Sequence, residues 1–311
     1  ALAAGAGRVA FAGPAKTDAE LDAALRAGVP TVVNVESLQE LRRLDLAAAR
    51  LGATADVGLR VNRRDAAPPG THRMSGAAAP FGVDEETLPE LIAVARSSPR
   101  LRLRGLHLHA VSNNLDAAAH AEFVAGCVAF ARGVAAAHDV DLAEVNVGGG
   151  FGVDPVGARV FDLDVFAAAM RGLDVGEARV VFELGRFLVS EAGWYAVEVV
   201  DVKTVRGRVF AVVRGGTHHF RLPAAWGYDH PAAVAGVDDW PYPWRRPGVD
   251  DAHVDVVGEL CTPRDVLCRG LRVARLRVGD VLAFPRTGAY GWEVSHKDFL
   301  SHPHPRSATV G

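Results

Sequence analysis

The sequence predicts an α/β domain with parallel strands, followed by a second, β-rich domain. Three observations carry this. Up to residue 189, short β-branched runs alternate with capped helical patterns, as in strand–helix–strand units. From residue 190 the texture changes to alternating strands separated by turn signals. The early strand ends also gather glycines, histidines and charged groups, and in parallel α/β folds ligands bind at those ends.

In chain order, RVAFA (8–12) reads as a strand. A helix over 17–28 follows, with Thr17 and Glu20 forming a capping box and Gly28 as its stop. TVVNV (31–35) is the next strand, and Ser37 and Glu40 open the helix over 37–52. VGLRVN (57–62) is the third strand, then a Pro- and Gly-bearing loop spans 65–84. A helix around 85–97 leads to a strand at RGLHLHA (104–110), and a long helix occupies 116–138. AEVNV (143–147) and ARVVFEL (178–184) are the fifth and sixth strands, with a helix around 164–173 between them. Six parallel strands fit an open sheet or part of a barrel. WYAVEVVDVKTVRGRVFAVVRGG reads as a hairpin, and LRVARLRVGDVLAFP continues the β pattern. The Pro- and Trp-rich stretch between them reads as loop. The expected domains are therefore 1–189 and 190–311.

The net charge of −3, with acids and bases interspersed, gives no basic stripe for nucleic acid. No apolar run reaches the roughly 18 residues of a membrane span, and the first residues lack the charge pattern of a signal peptide. Three cysteines without CxxC spacing fit free thiols in a reducing compartment. The expectation is a cytoplasmic globular protein.

Several stretches could carry chemistry. In VNVGGGFG (145–152) a strand collapses into glycines, either for a tight turn or to expose N–H groups to a phosphate. The spacing is not that of a dinucleotide fingerprint. FELGRF (182–187) brings Glu183, Gly185 and Arg186 to another strand end, where arginine suits an anion or a surface ion pair. LHLHAVS (106–112) places His107 and His109 on one face of a strand, as core residues or as part of a metal site. Arg60 alternates with apolar neighbours and needs a partner or a ligand. Cys261 and Asp265 share GELCTPRDVL, and Tyr290 lies between two glycines in GAYG. His218/His219 and His302/His304 resemble metal ligands but lack a further spaced donor, and read as surface or substrate-side residues.

The order of these pieces resembles the fold-type III pyridoxal-phosphate decarboxylases: HxxS at 109–112, GGGF at 148–151, E-x-G-R at 183–186, YDH at 228–230, C-x-x-x-D at 261–265 and GAY at 288–290. The resemblance implies a TIM-like barrel followed by an antiparallel β domain, with the N-terminal barrel strands missing from this chain. It implies pyridoxal 5′-phosphate as cofactor, with His109 on the ring, Arg60 near it, and Glu183 at the pyridine nitrogen. Ser112, Gly149, Gly150, Gly185, Arg186 and Tyr290 would hold the phosphate. Cys261 would be the proton donor, and Tyr228, Asp229 and Asp265 would face the substrate, with Cys261 and Asp265 reaching across a homodimer interface. No metal is implied.

In this family a Schiff-base lysine lies ahead of the motif resembling FAGPAKTDAEL, which places it upstream of Ala1. Lys16, Lys203 and Lys297 are the lysines present, and none has that context. Thr262 occupies the place where ornithine- and diaminopimelate-type enzymes carry an acid for the distal amine. The resemblance therefore points to decarboxylation in siderophore- or antibiotic-type metabolism, on an amino acid or a conjugate, including a carrier-protein-bound one. A primary-metabolism decarboxylase, a racemase of the same fold, a non-catalytic regulatory homologue and a metal-dependent hydrolase remain alternatives.

Overall fold

A computed structural model describes residues 1–64, 68–70 and 72–310. The chain forms two compact units, one of residues 1–152 and 160–184, the other of residues 153–159 and 185–311. The boundary falls a few residues ahead of the expected one, and a short segment of the first half belongs to the second unit. Among the described residues no helix is long and apolar enough to cross a membrane.

The first unit is a parallel sheet with helical crossovers. Its strands are β1 (Val9–Phe11), β2 (Thr31–Val35), β3 (Ala55–Asn62), β6 (Leu101–His107), β8 (Glu144–Gly148) and β9 (Arg179–Phe182), side by side in that order. The short β5 (Val83–Asp84) pairs with the end of β3, and β4 (His72–Arg73) pairs antiparallel with β7 (Val111–Ser112). Helices α1 (Asp18–Leu25), α2 (Leu38–Leu51), α3 (Leu88–Ser97), α4 (Ala117–His138) and α5 (Leu163–Arg171) make the crossovers. Each expected strand is found; β2, β3 and β8 are β-branched runs buried on both faces, which leaves them little choice of structure.

The helix starts follow the sequence signals. Thr17 and Glu20 make the reciprocal capping box of α1. At α2 the hydroxyl of Ser37 accepts from the N–H of Glu40, as expected. The Glu40 side chain, however, turns away from the cap. One of its oxygens accepts from the N–H of Glu36 (2.7 Å) and the other from Lys16 Nζ (2.7 Å). Lys16 is buried and also donates to the carbonyls of Gly13 (2.7 Å) and Asn34 (2.8 Å). Its three protons are thus matched by three acceptors, so the charge is tolerated in the interior.

One expectation about His107 and His109 changes. Strand β6 ends at His107, and His109 lies in the segment beyond it, so alternation along one strand does not align them. Their rings still lie nearly parallel, with centroids 6.4 Å apart.

The second unit is a sheet of β12 (Ala233–Ala235), β15 (Val281–Phe284), β10 (Tyr195–Val205), β11 (Arg208–Val213), β13 (Gly248–Val257) and β14 (Val266–Arg277), in that spatial order. Its pairings are antiparallel except that β11 and β13 run parallel. Arg206 and Gly207, both at positive φ, form the two-residue turn between β10 and β11. The stretch expected as loop (222–248) contains a short helix, α7 (Leu222–Trp226), as well as β12, and α6 (Arg186–Val189) lies near the unit's start. Val199, Val213, Phe220, Leu267 and Phe284 are buried in its core. The three cysteines are free thiols. Burial pushes Cys127 up to about 12 and Cys268 up to about 11, as inert core thiols.

Two stability predictions follow from the first unit. Lys16→Met strands Glu40 in the interior, and the expected loss is about 3–5 kcal/mol. Urea unfolding should show it, with part recovered in Lys16→Met/Glu40→Leu. The second concerns His109 and His120, whose pKa values burial lowers from 6.5 to about 4, with His107 and Arg60 adding to the effect on His109. Between those values the unfolded chain binds more protons than the folded one. Stability is therefore full above pH 6.5 and falls as pH drops toward 4. Urea midpoints across that window should fall, and less steeply in His120→Leu.

Candidate active site

At the carboxyl end of β8 the glycine run is packed against its neighbours. Gly148 has φ +72°, and a Cβ there would lie 2.2 Å from His109 Nδ1. A Cβ on Gly149 would lie 2.4 Å from the carbonyl oxygen of Glu183, and one on Gly150 2.7 Å from that of Val111. The glycines thus let a ring and two chain segments approach the backbone. The N–H of Gly149 donates to His109 Nδ1 at 3.3 Å, which fixes the ring's orientation and makes that nitrogen an acceptor.

Asn146, in the middle of VNV, ties this turn to β9. Its amide oxygen accepts from the N–H of Gly148 (2.9 Å), and its amide nitrogen donates to Glu183 Oε1 (2.8 Å). The other Glu183 oxygen is 3.5 Å from Nε2 of the buried His107. Neither His107 ring nitrogen has a hydrogen-bond partner. Burial pushes the Glu183 carboxyl up, but the His107 ring, the Asn146 amide and His109 outweigh it. The result is a pKa of about 2. With its side chain one-third exposed, Glu183 is an ionised carboxylate that remains accessible.

Arg60 receives the partner its burial required. NH1 donates to Glu36 Oε1 at 2.9 Å, and the guanidinium lies over Phe81 at 4.8 Å from the ring centre. Glu36 also accepts from the N–H groups of Gly13 (3.0 Å) and Gly82 (2.9 Å). Ser112 is half-buried in β7.

In the second unit, Arg186 follows Gly185 at the start of α6. Its guanidinium packs against two adjacent rings, 4.1 Å from the centre of Trp226 and 4.4 Å from that of Tyr290. Nε and NH2 are buried without a hydrogen-bond partner. Burial lowers its pKa from the usual arginine value, yet arginine stays charged. Two unsatisfied donors on a held cation make an anion-binding group. Tyr290 is strained at φ +56° and is 40% exposed.

The remaining expected residues separate by environment. Cys261 is exposed. Asp265, expected on the substrate side, is buried instead. Its Oδ1 accepts from the N–H (2.6 Å) and hydroxyl (2.8 Å) of Thr217, and its Oδ2 from the N–H of Leu260 (2.9 Å). With both oxygens engaged, it shapes the loop carrying Cys261. Tyr228 OH is 3.0 Å from His230 Nδ1, and Asp229 accepts from the N–H of Arg269 (2.8 Å).

Two family models match this chain: the pyridoxal-binding domain of the pyridoxal-dependent decarboxylases over residues 1–190, and their C-terminal sheet domain over residues 162–288. The chain belongs to the pyridoxal-dependent decarboxylases. It is 38% identical over 305 residues to the 2-[(L-alanin-3-ylcarbamoyl)methyl]-2-hydroxybutanedioate decarboxylase of Staphylococcus aureus, covering 96% of this chain and 76% of that protein. It is 30% identical to the L-glutamyl-[BtrI acyl-carrier protein] decarboxylase of Niallia circulans, over 96% of this chain and 71% of that one. Among solved structures, a point mutant of the diaminopimelate decarboxylase of Helicobacter pylori complexed with L-lysine matches with a TM-score of 0.82 at 26% identity. That match covers 95% of this chain and 71% of that one. The parallel sheet is thus part of a TIM-like barrel, and the second unit is the family's sheet domain.

Within each unit the chemistry is compatible with pyridoxal phosphate: in the first, Glu183 is an ionised carboxylate beside the glycine turn and His109; in the second, Arg186 has unsatisfied donors suited to a phosphate. Sequence reasoning missed Asn146, Glu36 and Trp226. A polar residue inside a buried strand signalled the first, and nothing local signalled the other two.

The turn at β8 yields a direct test. Gly148→Ala should cost about 1–2 kcal/mol for the left-handed backbone, plus the displacement of His109. Urea unfolding reads the cost. The His109 ring resonances should shift in NMR spectra, while those of His230 in the other unit should not.

Proposed function

We propose that this protein decarboxylates an amino acid carried as a conjugate, in specialised metabolism, with pyridoxal phosphate as cofactor. The observation that carries the reading is Glu183, an ionised carboxylate fixed by Asn146 beside the glycine turn and His109. The two relatives support the substrate class. By their names, one acts on an alanyl group joined through a carbamoyl link to a hydroxybutanedioate, and the other on an L-glutamyl carrier protein. Thr262, after the cysteine, cannot neutralise a distal amine, which argues against a free diamino acid.

Bound pyridoxal phosphate supplies an electron sink for the charge left when carbon dioxide departs. The chain's residues take the following roles. Glu183 holds a proton on the pyridine nitrogen by charge attraction. His109, oriented by Gly149, would lie against the ring and exclude water from that face. Arg60, clamped by Glu36, sets the positive field near it. Ser112, Gly149, Gly150, Gly185, Arg186 and Tyr290 receive the phosphate oxygens. The Cys261 thiol delivers a proton to the substrate α-carbon as general acid, on a loop shaped by Asp265. Tyr228 and Asp229 lie on the substrate side. The active form is a homodimer in the cytoplasm, with Cys261 serving the partner's site.

Lysine placement narrows the chemistry of this chain's own residues. Lys16 is consumed by its three acceptors, Lys203 pairs with Asp201, and Lys297 lies over Trp292.

The test uses the complete gene product with added pyridoxal phosphate. Carbon dioxide release from a carbamoyl-linked amino-acid conjugate should exceed that from free diaminopimelate or ornithine. Cys261→Ala should lower kcat by about 10²-fold or more while cofactor affinity stays unchanged. A protein that binds no pyridoxal phosphate, or that prefers the free diamino acids, overturns the reading.

A further inference from the structure

The paired histidines expected at the surface or on the substrate side have a different environment. His218 is only 3% exposed, and neither of its ring nitrogens has a hydrogen-bond partner. A buried imidazole with both nitrogens unsatisfied is costly unless something fills the gap. The missing third donor is a carboxylate far away in sequence. Glu259 Oε1 lies 3.6 Å from His218 Nε2 and 3.6 Å from His302 Nδ1. The three ligand atoms all lie within 4.8 Å of one another.

We propose that His218, Glu259 and His302 form a binding site for a divalent transition-metal ion of the zinc type, separate from the residues assigned to pyridoxal phosphate. Two imidazoles and one carboxylate form a ligand set suited to such ions. Ligands about 2.0–2.1 Å from a tetrahedral ion stand about 3.3–3.4 Å apart. Both separations to Glu259 are close to that edge and too long for good hydrogen bonds.

The site is also built, in the sense that each ligand is held by its own supports. Asp265 accepts from Thr217, the neighbour of His218, and from Leu260, the neighbour of Glu259. The N–H of Glu259 donates to the carbonyl of Gly215 at 2.9 Å. The segment carrying His302 is pinned just after it. His219 Nε2 donates to the carbonyl of Pro303 at 2.7 Å, and His304 contacts Asp298 at 2.6 Å with its ring tilted against Trp292. Three protein ligands leave at least one position open, for water or for an oxygen donor such as a carboxylate. The ion would fasten the C-terminal tail to the loop that leads into Cys261.

The test uses tag-free holoprotein, stripped with a chelator and titrated with zinc against a chromophoric competitor, then with cobalt for its visible bands. The expected result is a single ion per chain. His218→Ala, Glu259→Gln and His302→Ala should each weaken zinc affinity by about 10-fold or more, while His253→Gln, at an exposed position on β13, leaves it unchanged. Far-UV circular dichroism confirms that each variant is folded. No zinc uptake, equal uptake by all three variants, or loss of the ion on Cys261→Ser instead would overturn the proposal. Zinc uptake is independent of decarboxylation, so the two readings fail separately.

Discussion

The imidazole of His109 lies where a side chain of residue 148 would be. That steric constraint organises the barrel unit's functional face. With no Cβ at residue 148, the backbone turns to positive φ and the ring closes down on it. The next N–H then donates to that ring, and the following turn brings Gly149 against the carbonyl of Glu183. Asn146 closes the arrangement by holding both the turn and the Glu183 carboxylate. A side chain at any of these three glycines would push apart groups that must meet.

Charge is managed in the same unit by completing valences. Lys16 has three acceptors, Glu40 serves a lysine and a backbone N–H, and Glu36 serves an arginine and two backbone N–H groups. Buried ions held this way add little net stability, but removing one partner is expensive. They fix how α1, α2 and β3 meet behind the strand ends. The groups left incomplete contrast with them. His107, beside Glu183, and Arg186, proposed to hold the phosphate, retain unsatisfied nitrogens. His218 shares that property and is assigned to none of those roles.

The sheet unit shows how one carboxylate can serve two loops. Asp265 fills the space that Cβ atoms on Gly216 and Gly258 would occupy, and it bonds the flanking loops together. Its neighbour in the motif, Cys261, stays exposed. The C-x-x-x-D spacing therefore combines an exposed thiol with a buried carboxylate that shapes the loop carrying it.

The sequence by itself determined the strands and crossovers of the barrel unit, the helix caps at Thr17 and Ser37, the change to a β-sheet unit, and the family. These are local signals: hydrophobic period, cap chemistry and short motifs. It also singled out Glu183, His109 and Arg186 as candidate site residues. Only the tertiary structure decided what each polar group meets. Asn146 and Glu183 stand 37 residues apart in sequence, and Arg60 and Glu36 stand 24 apart. Trp226 meets Arg186, and Glu259 comes between His218 and His302, with no local pattern to announce either. The physical reason is that periodicity specifies which face is buried, whereas a buried charge or imidazole is satisfied by whichever partner the packed chain brings within reach.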